Sequence, residues 1–427
     1  MPENQKEKSP SFQAPKGMHD ILPESWPLFE KLYKASKEIA DFYNFSRIET
    51  PILENVDLFV RGIGEATDIV EKEMYTFPDR ADRSITLRPE GTAPVVRSYI
   101  ENHLYNLPSP QKFFYSGPMF RYERPQKGRF RQFYQIGVEA FGAAEPKLDA
   151  EIISMLKLFL ERLQLRELKF EVNSIGCEKC RPDYKKALVS FFSGKVAGLC
   201  PDCNRRYSNN PLRILDCKNS ACAELRKGSP KITDYLCGEC KSHFEEFLSL
   251  LNSLNISYII NSDMVRGLDY YTRTTFEITS GHLGAQKTVA AGGRYDRLVE
   301  EFGGPATPAI GFAIGMERLV EILKALNSDF CISAPKVFIA TIGKDASDQG
   351  LLIAEKLRSK GIQAELGYDN ASLKSQLRRA DKLGASYVFI IGDDELKSGM
   401  IKWKNLKDSS QGEIGIAAIS EFEGLYR

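Results

Sequence analysis

The spacing of apolar residues along the chain predicts helices and strands in two separate groups. Apolar positions recur at helical spacing from Trp26 to Phe42 and again from Asp149 to Leu163, so each stretch is predicted to be an amphipathic helix. Strand-like runs lie between these helices, at 84–90, 112–123 and 129–142. A turn with Pro and Gly separates the last two runs, which predicts an antiparallel hairpin.

The second group of elements begins after residue 262. Strand-like runs at 268–279 and 309–315 precede a helix from Met316 to about Leu326, and 328–336 has the composition of a linker. Strand and helix patterns then alternate to the end of the chain. This alternation is typical of a separate α/β domain of roughly 90 residues.

Composition bounds the classes of protein to which the chain can belong. At 427 residues it exceeds the size of one hydrophobic core, so two or three domains are expected. The net charge is +1, from 58 basic and 57 acidic side chains, so any RNA binding must come from local basic patches. Residues 1–14 are polar and predict a disordered tail without the apolar segment of a secretory signal. With no apolar run near the ~18 residues of a membrane helix, a cytoplasmic location is expected.

Eight of the nine cysteines fall within the segment 176–262, in closely spaced pairs, and Cys331 lies apart. The pairs are Cys177-x2-Cys180, Cys200-x2-Cys203, Cys217-x4-Cys222 and Cys237-x2-Cys240. Thiolates two to four residues apart are the usual ligands of tetrahedral zinc, and the reducing cytoplasm argues against disulfides. We therefore predict one or two structural Zn²⁺ ions, with redox-labile disulfides or an iron–sulfur cluster as competing interpretations.

The predicted hairpin is dense in arginine, whereas the chain has no GxxxxGK[ST] loop to cradle the phosphates of ATP. Because side chains alternate along a strand, Arg121 and Glu123 are predicted to share one face. The same rule groups a row on the next strand: Arg131, Phe133, Gln135, Gly137 and Glu139. Gly137 is expected to leave room there for a small ligand. The turn adds three cations suited to phosphates: Arg124, Lys127 and Arg129. From the residues alone, a solvated charged hairpin is the alternative.

The segment FRYERPQKGRFRQFYQIGVEAFG closely resembles motif 2 of class II aminoacyl-tRNA synthetases, in the form seen in histidyl-tRNA synthetases. Other segments resemble the same family in the same order along the chain. They are the N-terminal signature (14–24), motif 1 with Pro51 (49–77), the amino-acid-binding segment (87–97), the histidine-specific motif RGLDYYTRTTFE (266–277), motif 3 (290–319) and the anticodon-binding domain (334–427). The resemblance covers nearly the whole chain from residue 14.

The resemblance implies a histidine–tRNA ligase of the α+β class, with an antiparallel sheet flanked by helices. ATP with Mg²⁺ would activate L-histidine to histidyl-adenylate, and histidine would then pass to the 3′ end of histidine tRNA. The implied domains are a catalytic core in two parts (15–175 and 263–327), an inserted cysteine-rich helical module (176–262) and a C-terminal α/β anticodon-binding domain (334–427). Because motif 1 builds a dimer interface in this family, a homodimer is expected.

The resemblance also implies roles for individual residues. Those implied to bind histidine are Glu90, Gly91, Thr92, Arg121, Gln135, Glu139, Arg266, Tyr270 and Tyr271. Those implied to bind ATP are Arg121, Glu123, Arg266 and Arg318, of which the three arginines are implied to be catalytic. Arg124 and Gln126 would contact the acceptor end of the tRNA.

Two other functions compete with this interpretation. A synthetase-like regulatory subunit of ATP phosphoribosyltransferase binds histidine without charging tRNA. Such paralogues usually lack the C-terminal domain and the catalytic arginines, both of which this chain keeps. A non-catalytic, zinc-containing RNA-binding module is the more distant alternative, and it would show no ATP–pyrophosphate exchange with histidine.

Overall fold

An eight-stranded sheet lies at the centre of the larger of two units of the chain. The computed structural model describes residues 12–64, 67–126, 128–281, 287–326, 334–368 and 371–422. The two units are Met1–Ser328 and Asp329–Arg427. Most of the predicted tail, Lys127 and the linker segment with Cys331 lie outside the described residues. No helix within the described ranges is long and apolar enough to cross a membrane.

The first unit combines strands and helices of unequal length. Its strands are β1 (Ser46–Arg47), β2 (Leu53–Asn55), β3 (Tyr75–Pro78), β4 (Ser84–Leu87), β5 (Gln111–Phe120), β6 (Gln132–Phe141), β7 (Leu168–Ser174), β8 (Ile259–Ile260), β9 (Thr272–Ser280), β10 (Thr288–Arg294) and β11 (Ala309–Gly315). Its α-helices are α1 (Trp26–Phe42), α2 (Val56–Ile63), α3 (Thr92–Glu101), α4 (Pro146–Arg162), α5 (Arg181–Phe192), α6 (Pro201–Asn209), α7 (Ser220–Leu225), α8 (Gly238–Ser253), α9 (Leu298–Glu301) and α10 (Met316–Ala325). Short 3-10 or π turns lie at Leu104–Asn106, Val196–Gly198, Pro211–Ile214, Ile232–Tyr235 and Ile69–Glu73.

The large sheet has the strand order β1-β5-β6-β11-β10-β9-β7-β8 and is antiparallel except at its two edges. The three-stranded sheet β2-β4-β3 is separate and antiparallel. Helix α1 begins with a Pro in its first turn, a position where a missing N–H is harmless, and buries Leu28, Leu32 and Ile39. The predicted α+β class is thereby confirmed for this unit.

The predicted hairpin exists but is shorter than the sequence pattern suggests. Strand β5 ends at Phe120 and β6 begins at Gln132, so Arg121 and Glu123 lie in the connection. The prediction that these two side chains share a strand face is therefore wrong. The backbone turns sharply there, since the N–H of Glu123 donates to the carbonyl of Arg121 at 2.7 Å.

The segment between β7 and β8 is mostly helical and has an apolar cluster of its own. That cluster includes Tyr184, Leu188, Phe192 and the buried Cys203 and Cys222. Toward its end the segment joins the large sheet, because Ile259 and Ile260 of β8 pair with β7.

The second unit is a five-stranded sheet with helices. Its elements are β12 (Val337–Thr341), α11 (Lys344–Arg358), β13 (Ala364–Leu366), α12 (Leu373–Lys382), β14 (Tyr387–Ile391), α13 (Asp393–Ser398), β15 (Met400–Asn405), β16 (Gln411–Gly415) and a 3-10 turn at Ile416–Glu421. Strand β12 pairs in parallel with both β13 and β14, and β15 and β16 complete the sheet antiparallel. The predicted α/β arrangement is confirmed.

Candidate active site and cysteine clusters

A cavity opens over strands β6, β10 and β11 of the large sheet. Of the eleven residues implied to bind histidine or ATP, nine line it: Glu90, Thr92, Arg121, Glu123, Gln135, Arg266, Tyr270, Tyr271 and Arg318. Gly91 and Glu139 do not line it, but Glu139 contacts Thr92 and Tyr295, both of which do. Residues from distant parts of the chain therefore converge on one site.

The pairing of β6 with β11 creates the floor of the cavity. Gln135 lies opposite Gly315, and Glu139 lies opposite Gly311. A Cβ atom at position 311 would come 1.9 Å from Oε2 of Glu139, so only glycine lets the buried carboxylate stand there. The missing side chain at position 311 thus makes room for the carboxylate of Glu139.

Glu90 is held at the beginning of α3. Its carboxylate accepts backbone N–H bonds from Thr92 and Ala93, both at 2.8 Å. Burial raises the pKa of Glu90, while these N–H donors act in the opposite direction. Tyr270 lies next to it, with its hydroxyl 3.5 Å from Oε2 of Glu90. The carboxylate is fixed in place and faces the cavity.

Gln135 presents a hydrogen-bond acceptor with no partner among the described residues. Its Oε1 atom is buried and accepts nothing. A buried, unpaired carbonyl is costly unless a ligand supplies the donor. With Glu90 on the same wall, this atom suits the ammonium group of an amino acid.

Glu139 is the centre of a buried hydroxyl network. It accepts from Thr92 Oγ1 at 2.7 Å, from Tyr115 at 3.2 Å and from Tyr295. Burial raises the pKa of Glu139 to about 8, against the hydrogen bonds from Tyr295 and Thr92, which lower it. This carboxyl group therefore changes protonation state close to neutral pH.

The space beside Gly137 is filled by the protein itself. A Cβ atom at Gly137 would lie 2.2 Å from Cζ of Tyr115, its partner across the β5–β6 hairpin. A Cβ atom at Gly91 would likewise lie 2.3 Å from Cε2 of that ring. The expectation that Gly137 leaves room for a ligand is therefore wrong, because Tyr115 occupies that room.

Four guanidinium groups line the cavity, from Arg121, Arg129, Arg266 and Arg318. Burial, and next the charges of Arg129 and Arg121, lower the pKa of Arg318 to about 10. Among the described residues no carboxylate lies within ion-pair distance of Arg318, which donates to the carbonyl of Thr288. The other three arginines lie within ion-pair distance of Glu123 or Glu277, so the charge of Arg318 in particular favours an anionic ligand.

Two of these arginines are oriented by neighbouring groups. Arg266 donates to Glu277, and its guanidinium carbon lies 5.8 Å from the ring centre of Tyr271. Arg121 donates through Nε to the carbonyl of Pro89 at 2.8 Å, and its Nη1 lies 3.9 Å from Oε1 of Glu123. Preorganised cations of this kind can stabilise charge that develops during a reaction.

The remaining predicted residues of the β5–β6 connection divide into two groups. Glu123 lines the cavity but forms an ion pair with Arg129. Arg124 and Gln126 are exposed and do not line the cavity. They are thus accessible to a large partner outside it.

Sequence reasoning missed Tyr115, Tyr295 and Glu277, which surround the predicted side chains. For Tyr115 a signal existed, because an aromatic residue opposite a glycine in a hairpin often covers it. For Glu277 the signal was its place at the end of the segment RGLDYYTRTTFE, whereas for Tyr295 the sequence offers none, since its contact with Glu139 joins residues 156 positions apart.

The eight cysteines of the helical segment form two groups of four. One group is Cys177, Cys180, Cys237 and Cys240, and the other is Cys200, Cys203, Cys217 and Cys222. Within each group all sulfur atoms lie within 4.8 Å of one another. Each group therefore draws two residues from each of two cysteine pairs.

The geometry of both clusters fits a tetrahedral metal ion. Zn–S bonds of about 2.3 Å place neighbouring sulfurs of a tetrahedron about 3.8 Å apart. The Sγ atom of Cys177 lies 3.7 Å from that of Cys180 and 3.8 Å from that of Cys237. The Sγ atoms of Cys200 and Cys217 lie 3.8 Å apart. A disulfide needs about 2.05 Å, so these thiols are not bonded to each other.

Comparison with known proteins agrees on one family. The family model described as "Histidyl-tRNA synthetase" matches residues 17–179 and 211–319, and the "Anticodon binding domain" model matches 336–422. The histidine–tRNA ligase of Thermodesulfovibrio yellowstonii is 54% identical over 409 residues, covering 95% of this chain and 96% of that protein. That of Desulforamulus reducens is 47% identical over 412 residues, covering 96% and 98%. The crystal structure of apo S. aureus histidyl-tRNA synthetase matches with a TM-score of 0.82 and 38% identity, covering 97% of this chain and 100% of that one.

Proposed function

The chain belongs to the histidyl-tRNA synthetase family and is an enzyme that attaches histidine to its tRNA, and we propose that the arginine-lined cavity activates the amino acid with ATP. The observation that carries the proposal is the convergence of Glu90, Gln135 and Tyr271 with three arginines on one cavity. One wall suits an amino acid and the other suits a triphosphate.

Histidine binds between Glu90 and Glu139. The ammonium group donates to Glu90, Gln135 Oε1 and Thr92, of which the amide oxygen has no other partner among the described residues. Glu139 and Tyr271 read the imidazole ring, which carries one donor and one acceptor when neutral. An amino acid that leaves these buried groups unpaired is rejected, by about 10⁴-fold or more in sites of this kind.

Glu139 lies beside Gly311 on the same sheet face as Gln135, next to the lining residues Thr92 and Tyr295. Tyr115 and Tyr295 support it from either side, and Tyr270 packs edge-on against Tyr295 at 5.7 Å. This rigid network favours a single orientation of the ring.

The arginines act on the reacting groups. The histidine carboxylate attacks the α-phosphorus of ATP, a bond forms from carboxylate oxygen to phosphorus, and pyrophosphate leaves. Arg121 and Arg266 hold the carboxylate and the α-phosphate, and Arg318 holds the outer part of the nucleotide over the small residues of β11. Cations held in advance stabilise the negative charge on the equatorial oxygens. Mg²⁺ is the expected counter-ion of ATP and would neutralise part of that charge.

Transfer to tRNA follows on the same surface. A ribose hydroxyl at the 3′ end attacks the carbonyl of the adenylate, and an ester bond forms as the bond from that carbon to the phosphate oxygen breaks and AMP leaves. Orientation supplies much of the rate. Arg124 and Gln126, exposed at the edge of the site, contact the acceptor end. In the second unit, α12 carries four exposed cations that suit the anticodon arm: Lys374, Arg378, Arg379 and Lys382.

Both four-cysteine clusters hold structural Zn²⁺. Their spacings match a tetrahedral ion, and backbone N–H groups of Cys200 and Cys237 each approach a cysteine sulfur at 3.2 Å. The small apolar cluster between them gains stability when the metal binds, because its own core is thin. Residues 180–210 fall between the segments that match the family model, so this module lies partly outside the family's shared core.

The working enzyme is a cytoplasmic homodimer. The cytoplasm keeps the cysteines as thiols that can bind metal. Motif 1 provides the dimer surface, where Ile52, Leu53 and Phe77 are exposed at 42%, 46% and 43%. The chain divides by role into a catalytic core in two parts (15–175 and 263–327), the cysteine-rich module (176–262) and the anticodon-binding domain (334–427).

Pyrophosphate exchange tests this function. Purified protein should exchange labelled pyrophosphate into ATP only when histidine is added, and should charge histidine tRNA. A histidine-binding regulatory subunit or a zinc-containing RNA-binding module would show neither activity. Absence of both, from folded and metal-loaded protein, would refute the proposal.

A further inference from the structure

Two arginines of the cysteine-rich module reach the backbone of the histidine-specific segment, residues 266–271. Arg213 donates through Nη1 to the carbonyl of Arg266 at 3.1 Å and through Nη2 to the carbonyl of Gly267 at 3.0 Å. Arg181 donates to the carbonyl of Tyr271 at the other end of the segment. Neither arginine lines the cavity.

Arg213 is built into the interior of the protein. It is 8% exposed, and its Nε lies 3.7 Å from Oδ1 of Asp269, inside the same segment. One planar guanidinium therefore spans three positions of the segment, an arrangement that the single ammonium of lysine cannot reproduce. Burial of so large a cation makes the contact costly to lose.

The cysteine clusters hold these arginines in place. Arg181 follows Cys180 directly, and Arg213 comes four residues before Cys217. The turn that carries Arg213 packs on α6, whose Cys203 is fully buried. Each cluster thus anchors one arginine.

The neighbouring contacts fix the module from another side. Arg206, on α6, donates to Asp68 at 3.1 Å and forms part of the attachment to the residues before β3. The module is therefore joined both to that region and to the histidine-specific segment, so a displaced cluster would displace the segment.

We infer that Arg213, together with Arg181, is a positioning residue through which the two metal clusters set the place of Arg266 and Tyr271. The inference rests on the proposed function, because it assigns the segment its role in histidine activation. The metal then contributes to specificity as well as to folding: it locates the groups that read the imidazole ring and hold the carboxylate.

The test uses the full chain with metal bound and compares Arg213→Gln, Arg213→Lys and Arg205→Gln. Arg205 belongs to the same module, but its ion pairs are with Glu71 and Asp202 and not with residues 266–271. For Arg213→Gln, kcat/KM for histidine in pyrophosphate exchange should fall about 100-fold, the scale of a 1 Å misplacement. KM for histidine should rise and kcat should also fall, because Arg266 holds the α-phosphate as well as the carboxylate. Arg213→Lys should be intermediate, and Arg205→Gln should match the wild type.

Two further measurements separate positioning from general destabilisation. Amide hydrogens of 266–271 should exchange faster in Arg213→Gln than in Arg205→Gln, without ligand present. A double-mutant cycle combines Arg213→Gln with Cys222→Ser. The loss of kcat/KM in the double variant should not exceed the larger loss of the two single variants, because the cluster acts on the segment through the arginine.

Unchanged constants in Arg213→Gln, or a loss confined to kcat with normal exchange of 266–271, would overturn the inference. The inference would also be overturned if the loss of kcat/KM in the double variant equalled the product of the losses in the two single variants. A wild-type enzyme without histidine-dependent exchange would instead refute the proposed function, so the two failures are distinguishable.

Discussion

The ring of Tyr115 lies in the space that a side chain at Gly137 would fill. A Cβ atom at position 137 would be 2.2 Å from Cζ of that ring, and the tyrosine hydroxyl lies 3.2 Å from Oε1 of Glu139. A glycine on β6 therefore sets the position of a hydrogen-bond donor to the carboxylate proposed to read imidazole. Specificity at this site depends on packing beside the cavity, on the face of the sheet that carries Gln135.

Gly137→Ala should displace Tyr115 and weaken the histidine site. Overpacking of this kind costs about 1–3 kcal/mol of unfolding free energy. We expect a lower melting temperature and a raised KM for histidine, with KM for ATP unchanged, measured by thermal unfolding and pyrophosphate exchange. Tyr115→Phe is the control, since it keeps the ring and removes only the hydroxyl. An alanine variant with normal stability and normal KM would contradict the close approach.

Arg121 and Arg124 should separate the two half-reactions. Arg121 lies in the cavity and Arg124 is exposed outside it. Arg121→Ala should abolish pyrophosphate exchange because charge on the α-phosphate loses its cation. Arg124→Ala should leave exchange intact and slow transfer to tRNA in a single-turnover assay. Equal losses in both assays would refute this division.

Glu139→Gln should change the pH dependence of stability. Burial raises the pKa of Glu139 to about 8 in the folded protein, above its ordinary value of 4.5. The protonated carboxyl group of Glu139 therefore stabilises the folded wild type at low pH. This stabilisation is lost as pH rises from about 4.5 to about 8. The melting temperature of the glutamine variant should improve relative to wild type from pH 5 to pH 8, with no further change above. If the difference in melting temperature between the two proteins were the same at every pH, the carboxylate of Glu139 would already be ionised at pH 5.

Metal analysis should find two zinc ions per chain. The two cysteine groups share no residue, so Cys180→Ser and Cys203→Ser should each remove one ion and leave the other. Native mass spectrometry of purified protein and of both variants measures this directly. One ion in the wild type, or loss of both ions in a single variant, would contradict two independent sites.

Much of the local structure could be predicted because it depends on neighbours in sequence. The helix over 26–42 and the strand over 309–315 were predicted closely, since apolar periodicity and glycine content act within a few residues. The hairpin strands were overestimated because the alternation continues past Phe120, where the backbone turns away from its partner. Roles for Arg121, Arg266 and Arg318 came from resemblance, and those roles stay predictions.

The sequence by itself determined the family, the number of cysteine pairs and the identity of the charged residues, because these are written in residue types and their spacing. Only the tertiary structure decided that Cys177 and Cys180 group with Cys237 and Cys240, that Tyr115 fills the space beside Gly137, and that Arg213 reaches the carbonyl of Arg266. Such contacts join residues many positions apart, and which of them meet depends on how the sheet and the helical module pack.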